Sequence, residues 1–304
     1  MGGTSELENE KMKVLILGHD GFIGQEIFDL FNALSPAVEE LNGLSFPGID
    51  LCSQEGAVQA AKYFTPETSV IMCAGIKRQL GDNLRIFRHN LNMVENVCEI
   101  LQQRPVKKFV YFSSSAVYGE DIHNTNISEE TPIQARTFYG IAKYASERLL
   151  WKAISEFPQS SLAILRPTLA YGIGDEARGY GPAGFLDKLI NNEEIVLWGD
   201  ASELREFLSV KDIARIVQEI ACCNFSGVLN PVSGQSHSFR TVLDLLATMM
   251  GKKPKIVYRE RTKAKIDNVF SGELFRKSFP DFRFTPLADG LREMVEAEGY
   301  KGTL

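Results

Sequence analysis

The sequence lacks several features that would each mark a different class of protein. Its 304 residues contain no signal peptide and no apolar run close to the roughly 18 residues that a membrane-spanning helix needs. No block of basic residues occurs, and the formal net charge of −6 argues against a nucleic acid as the main partner. We therefore expect a cytoplasmic protein that binds neither nucleic acid nor a membrane.

Cysteine and histidine are also scarce, which limits disulfide and metal chemistry. The five cysteines form an odd set without a CxxC pair, and the four histidines are dispersed. We expect reduced core thiols, no disulfide and no metal site. These residues are Cys52, Cys73, Cys98, Cys222 and Cys223, and His19, His89, His123 and His237.

The most informative stretch that is present joins an apolar strand over 12–17, a glycine-rich turn and an amphipathic helix. Gly18 permits a tight turn off the strand, Gly21 lets backbone N–H groups approach a phosphate, and Gly24 lets helix and strand pack closely. Phe22 and Ile23 complete the turn. The helix is indicated by apolar residues at helical spacing, at Ile23, Ile27, Leu30, Phe31 and Leu34. Together these features predict a site for a dinucleotide pyrophosphate.

Strands and helices alternate through the first half of the chain, which is typical of a parallel sheet covered by helices on both faces. After the first unit, the pattern predicts strands over 69–73, 108–113 and 161–166 and helices over 84–103 and 138–156. Ligands bind such sheets at the carboxyl ends of the strands. The residues at those ends are Gly18, Ala74, Gly75, Ser113, Ser114, Arg166 and Pro167.

Past Tyr171 glycine becomes frequent and the predicted elements become shorter, which indicates a second, smaller domain. We expect a Rossmann-type, doubly wound cofactor domain over residues 11–175, to which 207–235 returns. Residues 176–206 and 236–304 would form a smaller α/β substrate domain. The polar first ten residues are left out of this assignment.

Acid–base chemistry is indicated by Tyr139 and Lys143, which lie four residues apart and so share one face of a helix. The ammonium group of Lys143 can then favour the ionised form of the Tyr139 phenol, which is otherwise a poor base at neutral pH. Ser114, at the end of a strand, can share a substrate oxygen's proton with Tyr139. A Tyr-x-x-x-Lys pair alone carries little information, and its value here comes from following the glycine-rich turn and the serine-ended strand.

At this point the chain resembles an extended short-chain dehydrogenase/reductase of the nucleotide-sugar epimerase/dehydratase family. The resemblance covers nearly all of residues 12–295. The motifs that carry it are GHDGFIG at 18–24, Asp50-Leu51, MCAG at 72–75, Asn90, SSSAVYG at 113–119, YGIAK at 139–143, LRPTLAYG at 165–172, WGD at 198–200, REFLSVKDIA at 205–214 and NPVSG at 230–234.

The resemblance implies roles for individual residues. Tyr139 would be the general acid/base, Lys143 would hold the nicotinamide ribose, and Ser114 would polarise the reacting oxygen. The implied cofactor-binding set is Gly18, Gly21, Phe22, Ile23, Gly24, Asp50, Leu51, Ala74, Gly75, Asn90, Ser113, Tyr139, Lys143, Arg166 and Pro167. Within it, Asp50 and Leu51 would face the adenine, and Asn90 would help to position the cofactor.

The implied substrate is a nucleoside-diphosphate sugar, with Ser115 and Arg205 as its binding residues. The planar, permanently charged guanidinium of Arg205 suits a diphosphate. The alternative for Arg205 is a surface ion pair with Glu203 or Glu206. The family often forms homodimers through the helices that carry Asn90 and Tyr139, so we expect a homodimer.

Two departures from the family's patterns bear on the reaction. Sugar 4,6-dehydratases carry an Asp-Glu pair where this chain has Ser115 and Ala116, so dehydration is not expected. The segment from Gly18 to Asp50 is as compact as in 4-ketosugar reductases. We therefore expect NAD(P)-dependent chemistry at C4 of the sugar, with a 4-ketosugar reductase as the first hypothesis, a C4 epimerase with tightly bound NAD as the alternative, and a non-catalytic nucleotide-binding protein as a remote one.

The choice between NAD and NADP depends on acidic or basic residues near the adenosine ribose. Glu39, Glu40 and Asp20 would disfavour a 2′-phosphate, whereas Asn42 and Ser45 could accept one. The sequence favours NAD slightly.

Overall fold

The computed structural model of the protein describes residues 11–176 and 181–300. In chain order its strands are β1 (Met12–Leu17), β2 (Val38–Leu44), β3 (Thr68–Met72), β4 (Lys108–Phe112), β5 (Asn124–Ile127), β6 (Ser161–Leu165), β7 (Leu169–Tyr171), β8 (Glu194–Trp198), β9 (Leu204–Arg205), β10 (Phe207–Ser209), β11 (Gly227–Leu229), β12 (His237–Ser238), β13 (Lys255–Arg259) and β14 (Asn268–Phe270). Its α-helices are α1 (Phe22–Ala33), α2 (Gln54–Ala60), α3 (Leu84–Gln103), α4 (Phe138–Ile154), α5 (Gly181–Asn191), α6 (Val210–Cys222), α7 (Phe239–Met249), α8 (Glu273–Ser278) and α9 (Leu287–Ala297).

A six-stranded parallel sheet, in the order β11-β6-β4-β3-β1-β2, forms the centre of the fold. The chain moves from β1 outward to β2 and then returns to the other side of β1 to form β3. This reversal opens a crevice between the carboxyl ends of β1 and β3, where ligands of such sheets bind. The predicted Rossmann-type fold is confirmed.

Side chains on the sheet alternate between two helical layers because successive residues of a strand point to opposite faces. In β1, Leu15 and Leu17 pack into the core formed with α2, α3 and α4. Val14 and Ile16 pack on the other face, in the core formed with α1 and α6. These four β1 side chains are almost fully buried, which explains why the strand reads as a continuous apolar run.

The helices that carry the candidate catalytic residues begin at polar caps that the sequence encodes. The side chain of Asn83 accepts a hydrogen bond from the Ile86 N–H at the start of α3. Thr137 accepts one from the Gly140 N–H at the start of α4. The two helices pack against each other, and their predicted positions are confirmed to within two residues at each end.

A separate apolar core lies C-terminal to β7, between α5, α7, α9 and the β8–β13 pair. Its fully buried residues include Val242, Leu243, Leu246, Leu291 and Val295. Strand β11 returns to the central sheet beside β6, and α6 packs on α1. These contacts support the division into a cofactor domain and a smaller substrate domain, which we keep as a proposal.

The thiols differ in one respect from the expectation. All five cysteines are free; Cys222, the last residue of α6, is exposed, and the other four are partly rather than fully buried. Across residues 11–176 and 181–300, no group of three or more His, Cys, Asp or Glu side chains is arranged to hold a metal ion. Within the same ranges, none of the helices combines the length and the apolar character needed to cross a membrane.

Candidate active site

The turn between β1 and α1 has the backbone geometry that a dinucleotide pyrophosphate requires. Gly18 has a φ of +87°, and a Cβ there would lie 2.7 Å from the Ala74 nitrogen, so only glycine fits. A Cβ at Gly24 would lie 2.0 Å from the Gly18 carbonyl oxygen. Gly21 precedes α1 and provides no side-chain cap, so the first N–H groups of the helix, starting at Phe22, remain available to an anion. These residues fit a bound dinucleotide.

Across the crevice, the segment after β3 forms the other wall. The side-chain oxygen of Asn90 accepts a hydrogen bond from the Ile76 N–H at 2.7 Å, and its amide nitrogen donates to the Ile76 carbonyl at 3.1 Å. Asn90 is buried and fixes the backbone beside Ala74 and Gly75. A Cβ at Gly75 would lie 3.3 Å from the Lys143 Nζ, which places the lysine against this wall.

The two residues expected to face adenine have different surroundings. The carboxylate of Asp50 accepts a hydrogen bond from the Cys52 N–H at 2.9 Å and so shapes the turn before α2. The side chain of Leu51 is buried in the core under α2 and α3. Leu51 therefore contributes to packing, and its role toward adenine stays a prediction.

The residues that were expected to influence the choice of cofactor separate into two groups. Glu39 and Glu40 lie in the first half of β2, where Glu40 pairs with Lys13 at the opposite end of the sheet from the glycine turn. The reasoning that these two carboxylates would repel a 2′-phosphate is wrong, because they are far from the carboxyl ends of the strands.

Asp20 and Ser45, in contrast, meet at the mouth of the turn. The Ser45 hydroxyl lies 2.9 Å from His19 Nδ1 and accepts a hydrogen bond from the Asp20 N–H at 3.1 Å. The imidazole of His19 is also 2.8 Å from the Asp20 carboxylate. A carboxylate is thus present on the turn itself.

Ser114, Tyr139 and Lys143 come together at the carboxyl end of β4. Ser114 caps the short 3-10 helix Ser115–Tyr118, and its hydroxyl is close enough to the Tyr139 phenol to act on the pKa of that phenol. The Lys143 Nζ lies 5.8 Å from the centre of the Tyr139 ring. The three predicted residues therefore lie close together, with Ser114 following β4 and both Tyr139 and Lys143 on α4.

Lys143 is not among the groups that act on the pKa of Tyr139 in this structure, so its expected lowering of that pKa stays a prediction. Burial of the phenol raises its pKa, the Ser114 hydroxyl lowers it in part, and the negative charge of Glu120 adds to the rise, so that the pKa of Tyr139 is about 12. The Lys143 ammonium donates to the Phe112 carbonyl at 2.6 Å instead of to the phenol. Its own burial lowers the pKa of Lys143 to about 8.

Ser113 and Arg166 belong to a buried polar network that the motifs did not indicate. The Arg166 guanidinium donates to both carboxylate oxygens of Glu147, at 2.9 and 2.7 Å, and to the Tyr118 hydroxyl at 2.9 Å. The Ser113 hydroxyl donates to Glu147 as well, and Tyr118 donates to Asn230 at 2.9 Å. All five side chains are buried, so those of Ser113 and Arg166 are engaged in holding β4, α4 and β6 together.

Next to this network a cavity of about 250 Å³ opens toward Ser115, the neighbour of Ser114. The Pro167 carbonyl accepts a hydrogen bond from the Ser115 N–H at 3.0 Å and thereby sets the wall of the cavity. Both predicted substrate residues, Ser115 and Arg205, line it. The other polar side chains that line it are Arg78, Tyr118, Glu120, Thr168, Glu206 and Asn268.

Arg205 does not form the surface ion pair that was its alternative explanation. Its guanidinium donates to the Leu204 and Ile266 carbonyls, both at 2.7 Å. Glu203 pairs instead with Arg261 at 2.7 Å, and Glu206 accepts hydrogen bonds from the Ser233 hydroxyl and the Gly234 N–H. Backbone carbonyls orient Arg205, which forms no direct ion pair within residues 11–176 and 181–300, although its charge acts on the Glu120 carboxylate in the same cavity.

Four charged residues near the site were not found by sequence reasoning. Arg78 forms an ion pair with Glu120 at the cavity, and Lys77 lies 3.8 Å from Asp175 and over the Phe22 ring. Arg78 and Glu120 are 42 positions apart in sequence, and Lys77 and Asp175 are farther apart still. No local pattern marks pairs of this kind, because each is formed by two loops that meet only in the folded chain.

The chain is similar to proteins of known function. The model of the NAD dependent epimerase/dehydratase family matches residues 14–221. The chain is 24% identical over 303 residues to a UDP-glucose 4-epimerase of Bacillus subtilis, covering 86% of this chain and 88% of that protein. It is 22% identical over 270 residues to a dTDP-4-dehydro-6-deoxy-D-allose reductase of Streptomyces, covering 80% and 82%.

Among solved structures, the Thermus thermophilus UDP-glucose 4-epimerase in complex with NAD superimposes with a TM-score of 0.77 at 24% identity. The match covers 94% of this chain and 98% of that one. UDP-glucose 4-epimerases recur among both the curated relatives and the solved structures.

Proposed function

Because the chain belongs to the NAD dependent epimerase/dehydratase family, and is thus an NAD-dependent enzyme acting on nucleotide sugars, we propose that it oxidises and re-reduces C4 of a nucleoside-diphosphate sugar. The observation that carries this proposal is the meeting of Ser114, Tyr139 and Lys143 beside the glycine turn. When bound, NAD accepts a hydride from a substrate carbon and can return it. The side chains must then move a proton on and off the oxygen of that carbon.

Tyr139 is the group we assign to this proton transfer. Its pKa lies well above neutral, so in the cofactor-free protein it is a proton donor rather than a base. Oxidation of a hydroxyl needs the ionised phenol as a base. A positive charge brought close to the phenol would favour its ionisation. Lys143, already buried nearby, and a bound nicotinamide are the two sources of such charge, while Ser114 donates to the substrate oxygen.

The cavity lined by Ser115 and Arg205 is the proposed place of the sugar and its diphosphate. The guanidinium of Arg205 is held there by two backbone carbonyls and carries the positive charge that a diphosphate partner requires. Dehydration finds little support, because the position next to Ser115 is Ala116, which is apolar and buried.

Among C4 reactions we now favour a 4-epimerase over the reductase that the compact Gly18–Asp50 segment suggested. Several relatives are 4-epimerases, and an epimerase must retain its cofactor between half-reactions. The Lys77–Asp175 pair, at 3.8 Å, links the segment after β3 to the loop after β7, which supports retention. The 4-ketosugar reductase remains the second candidate, on the basis of the compact segment.

The test supplies both kinds of substrate to the purified protein. An epimerase converts UDP-glucose to its C4 epimer, seen by NMR, with no net change in absorbance at the wavelength of reduced nicotinamide. A reductase instead consumes added NADH in proportion to a nucleoside-diphosphate 4-keto-6-deoxysugar and inverts no hexose. Absence of both reactions, with NAD still bound, would favour the remote alternative of a non-catalytic nucleotide-binding protein.

We also propose a homodimer through α3 and α4. The support is a set of apolar side chains that are exposed on these helices, Leu84, Phe138, Ile141 and Leu149. Light scattering coupled to size-exclusion chromatography should give twice the mass of one chain, and Ile141→Glu should reduce it to one chain. A monomeric wild-type protein contradicts this assembly.

A further inference from the structure

The cavity beside Ser115 contains one charged pair that the proposed reaction does not use. Of its two carboxylates, Glu206 already accepts hydrogen bonds from the Ser233 hydroxyl and the Gly234 N–H. Of its two guanidiniums, Arg205 is assigned to the diphosphate. Arg78 and Glu120 remain, joined to each other by an ion pair.

The location of this pair places it near the reacting end of the substrate. Both side chains line the same cavity as Ser115, which follows Ser114 directly. The charge of Glu120 is close enough to Tyr139 to raise the pKa of the phenol. Arg78 and Glu120 keep 44% and 37% of their side-chain surface exposed, so polar atoms of the pair stay accessible to a ligand in the cavity.

The chemistry of the pair suits hydroxyl groups. A hydroxyl both donates and accepts hydrogen bonds, and here a pure donor, the guanidinium, stands beside a pure acceptor, the carboxylate. The two charges compensate each other, so the pair offers no net attraction to an anion. A carboxylate on the sugar would be repelled by Glu120, and Arg78 could not compensate because it is already paired with Glu120. Binding of a sugar that carries a carboxylate is therefore disfavoured.

Building on the proposed function, we propose that Arg78 and Glu120 determine sugar specificity: together they bind hydroxyls of an uncharged hexose and exclude a hexose that carries a carboxylate. The pair determines specificity. The charge of Glu120 also acts on the Tyr139 phenol, but that effect is shared by both sugars, so the ratio between the two sugars is the readout. Its two members should affect that specificity in opposite directions, because each single substitution leaves the other charge unpaired in the cavity.

The experiment compares UDP-glucose with UDP-glucuronic acid on the NAD-loaded enzyme. The wild type should prefer UDP-glucose by at least about tenfold in kcat/KM, or 1.4 kcal/mol. Glu120→Gln frees Arg78 and should reduce or reverse this preference, with a gain on UDP-glucuronic acid. Arg78→Gln leaves Glu120 unpaired and should strengthen the preference. Binding of UDP alone, measured by calorimetry, should stay unchanged in both variants.

The adjacent residue offers a matched control. Asp121 also forms an ion pair, at 3.4 Å from Arg136, but both partners are about half exposed and neither lines the cavity. Asp121→Asn should therefore keep the wild-type preference. A merely structural role for Glu120 would lower activity on both sugars equally and would produce no gain on UDP-glucuronic acid.

The outcomes separate this inference from the proposed function. If the wild type acts on UDP-glucose and the three variants share its preference, the role of the pair is wrong while the proposed function stands. A wild-type preference for UDP-glucuronic acid also overturns the role of the pair. If the wild type turns over neither UDP sugar, the proposed function fails for this class of substrate, and the inference fails with it. Should Glu120→Gln not fold, the opposite shift in Arg78→Gln decides the matter.

Discussion

The glycine turn and the substrate cavity lie on neighbouring parts of one site but are built by different means. Backbone geometry shapes the turn: Gly18 and Gly24 are required because any side chain would collide with main-chain atoms, and the open N–H groups of α1 provide the polarity. Charged side chains shape the cavity, where Arg205 is held by two carbonyls and Arg78 by Glu120. Under the proposed function, the turn would accept a cofactor that is the same in every reaction, and the cavity could be altered residue by residue for the sugar.

This difference explains how such a fold supports many reactions. A pyrophosphate is the same in every dinucleotide, so the turn that binds it depends on a short, local pattern. The sugar differs between substrates, and its recognition depends on side chains that several loops bring together. The variants below test this separation, starting with Tyr139, the proposed proton-transfer group.

Tyr139→Phe should have the largest effect, because Tyr139 is the only member of the site proposed to transfer the proton. Turnover on a nucleotide sugar should fall at least ~10²-fold, the lower range for a positioned acid/base. NAD affinity and the melting temperature should change little, since the aromatic ring is retained. Steady-state kinetics and a fluorescence titration with NAD measure the two quantities, and near-normal turnover would contradict the assignment.

Arg205→Gln should weaken binding of the nucleotide sugar alone. Losing a charged hydrogen-bond donor to the diphosphate is worth about 1.5–3 kcal/mol, so KM for the nucleotide sugar should rise roughly tenfold to a hundredfold. NAD binding should be unaffected. Arg136→Gln, on the surface, is the control. Because Arg205 also bonds to the Leu204 and Ile266 carbonyls, a melting curve of each variant checks that the protein stays folded.

Gly21→Val should instead weaken binding of NAD. The backbone at Gly21 is extended, with a φ of −76°, and a Cβ there would meet only the Gly18 oxygen at 3.4 Å. The cofactor-free fold should therefore tolerate the change, while NAD affinity falls more than tenfold, about 1.4 kcal/mol. Unchanged affinity in a fluorescence titration would mean that the turn holds no dinucleotide.

The smallest effect we expect is the pH dependence contributed by Glu206. Burial raises the pKa of Glu206 to about 7, whereas an unfolded glutamate titrates near 4.3. Between these values the folded state binds more protons than the unfolded state, so this group's contribution to stability is lost as pH rises. The melting temperature of the wild-type protein should thus fall more between pH 5 and pH 8 than that of Glu206→Gln.

Calorimetric scans at several pH values measure this difference. The Gln side chain keeps an acceptor oxygen for the Gly234 N–H but does not titrate. Parallel pH profiles of the two proteins would show that Glu206 titrates as an ordinary carboxyl group.

The sequence predicted more of the cofactor wall than of the substrate wall. Strand β1 and helix α3 were predicted with their observed bounds, because continuous apolar runs and 3.6-residue periodicity are strong local signals. Sequence reasoning also selected Ser115 and Arg205, which meet in one cavity. It did not find Arg78 and Glu120, because charges with no periodic context look like ordinary surface residues.

The sequence by itself therefore determined the glycine turn, the alternating strands and helices, and the choice of Ser114, Tyr139 and Lys143 as candidate catalytic residues. The tertiary structure decided which groups face each other. It placed Glu39 and Glu40 at the wrong end of the sheet to act on a cofactor, engaged Arg166 with Glu147, and raised the pKa of Tyr139 by burial. The physical reason is that desolvation and ion pairing depend on distances through space, which residue spacing along the chain does not fix.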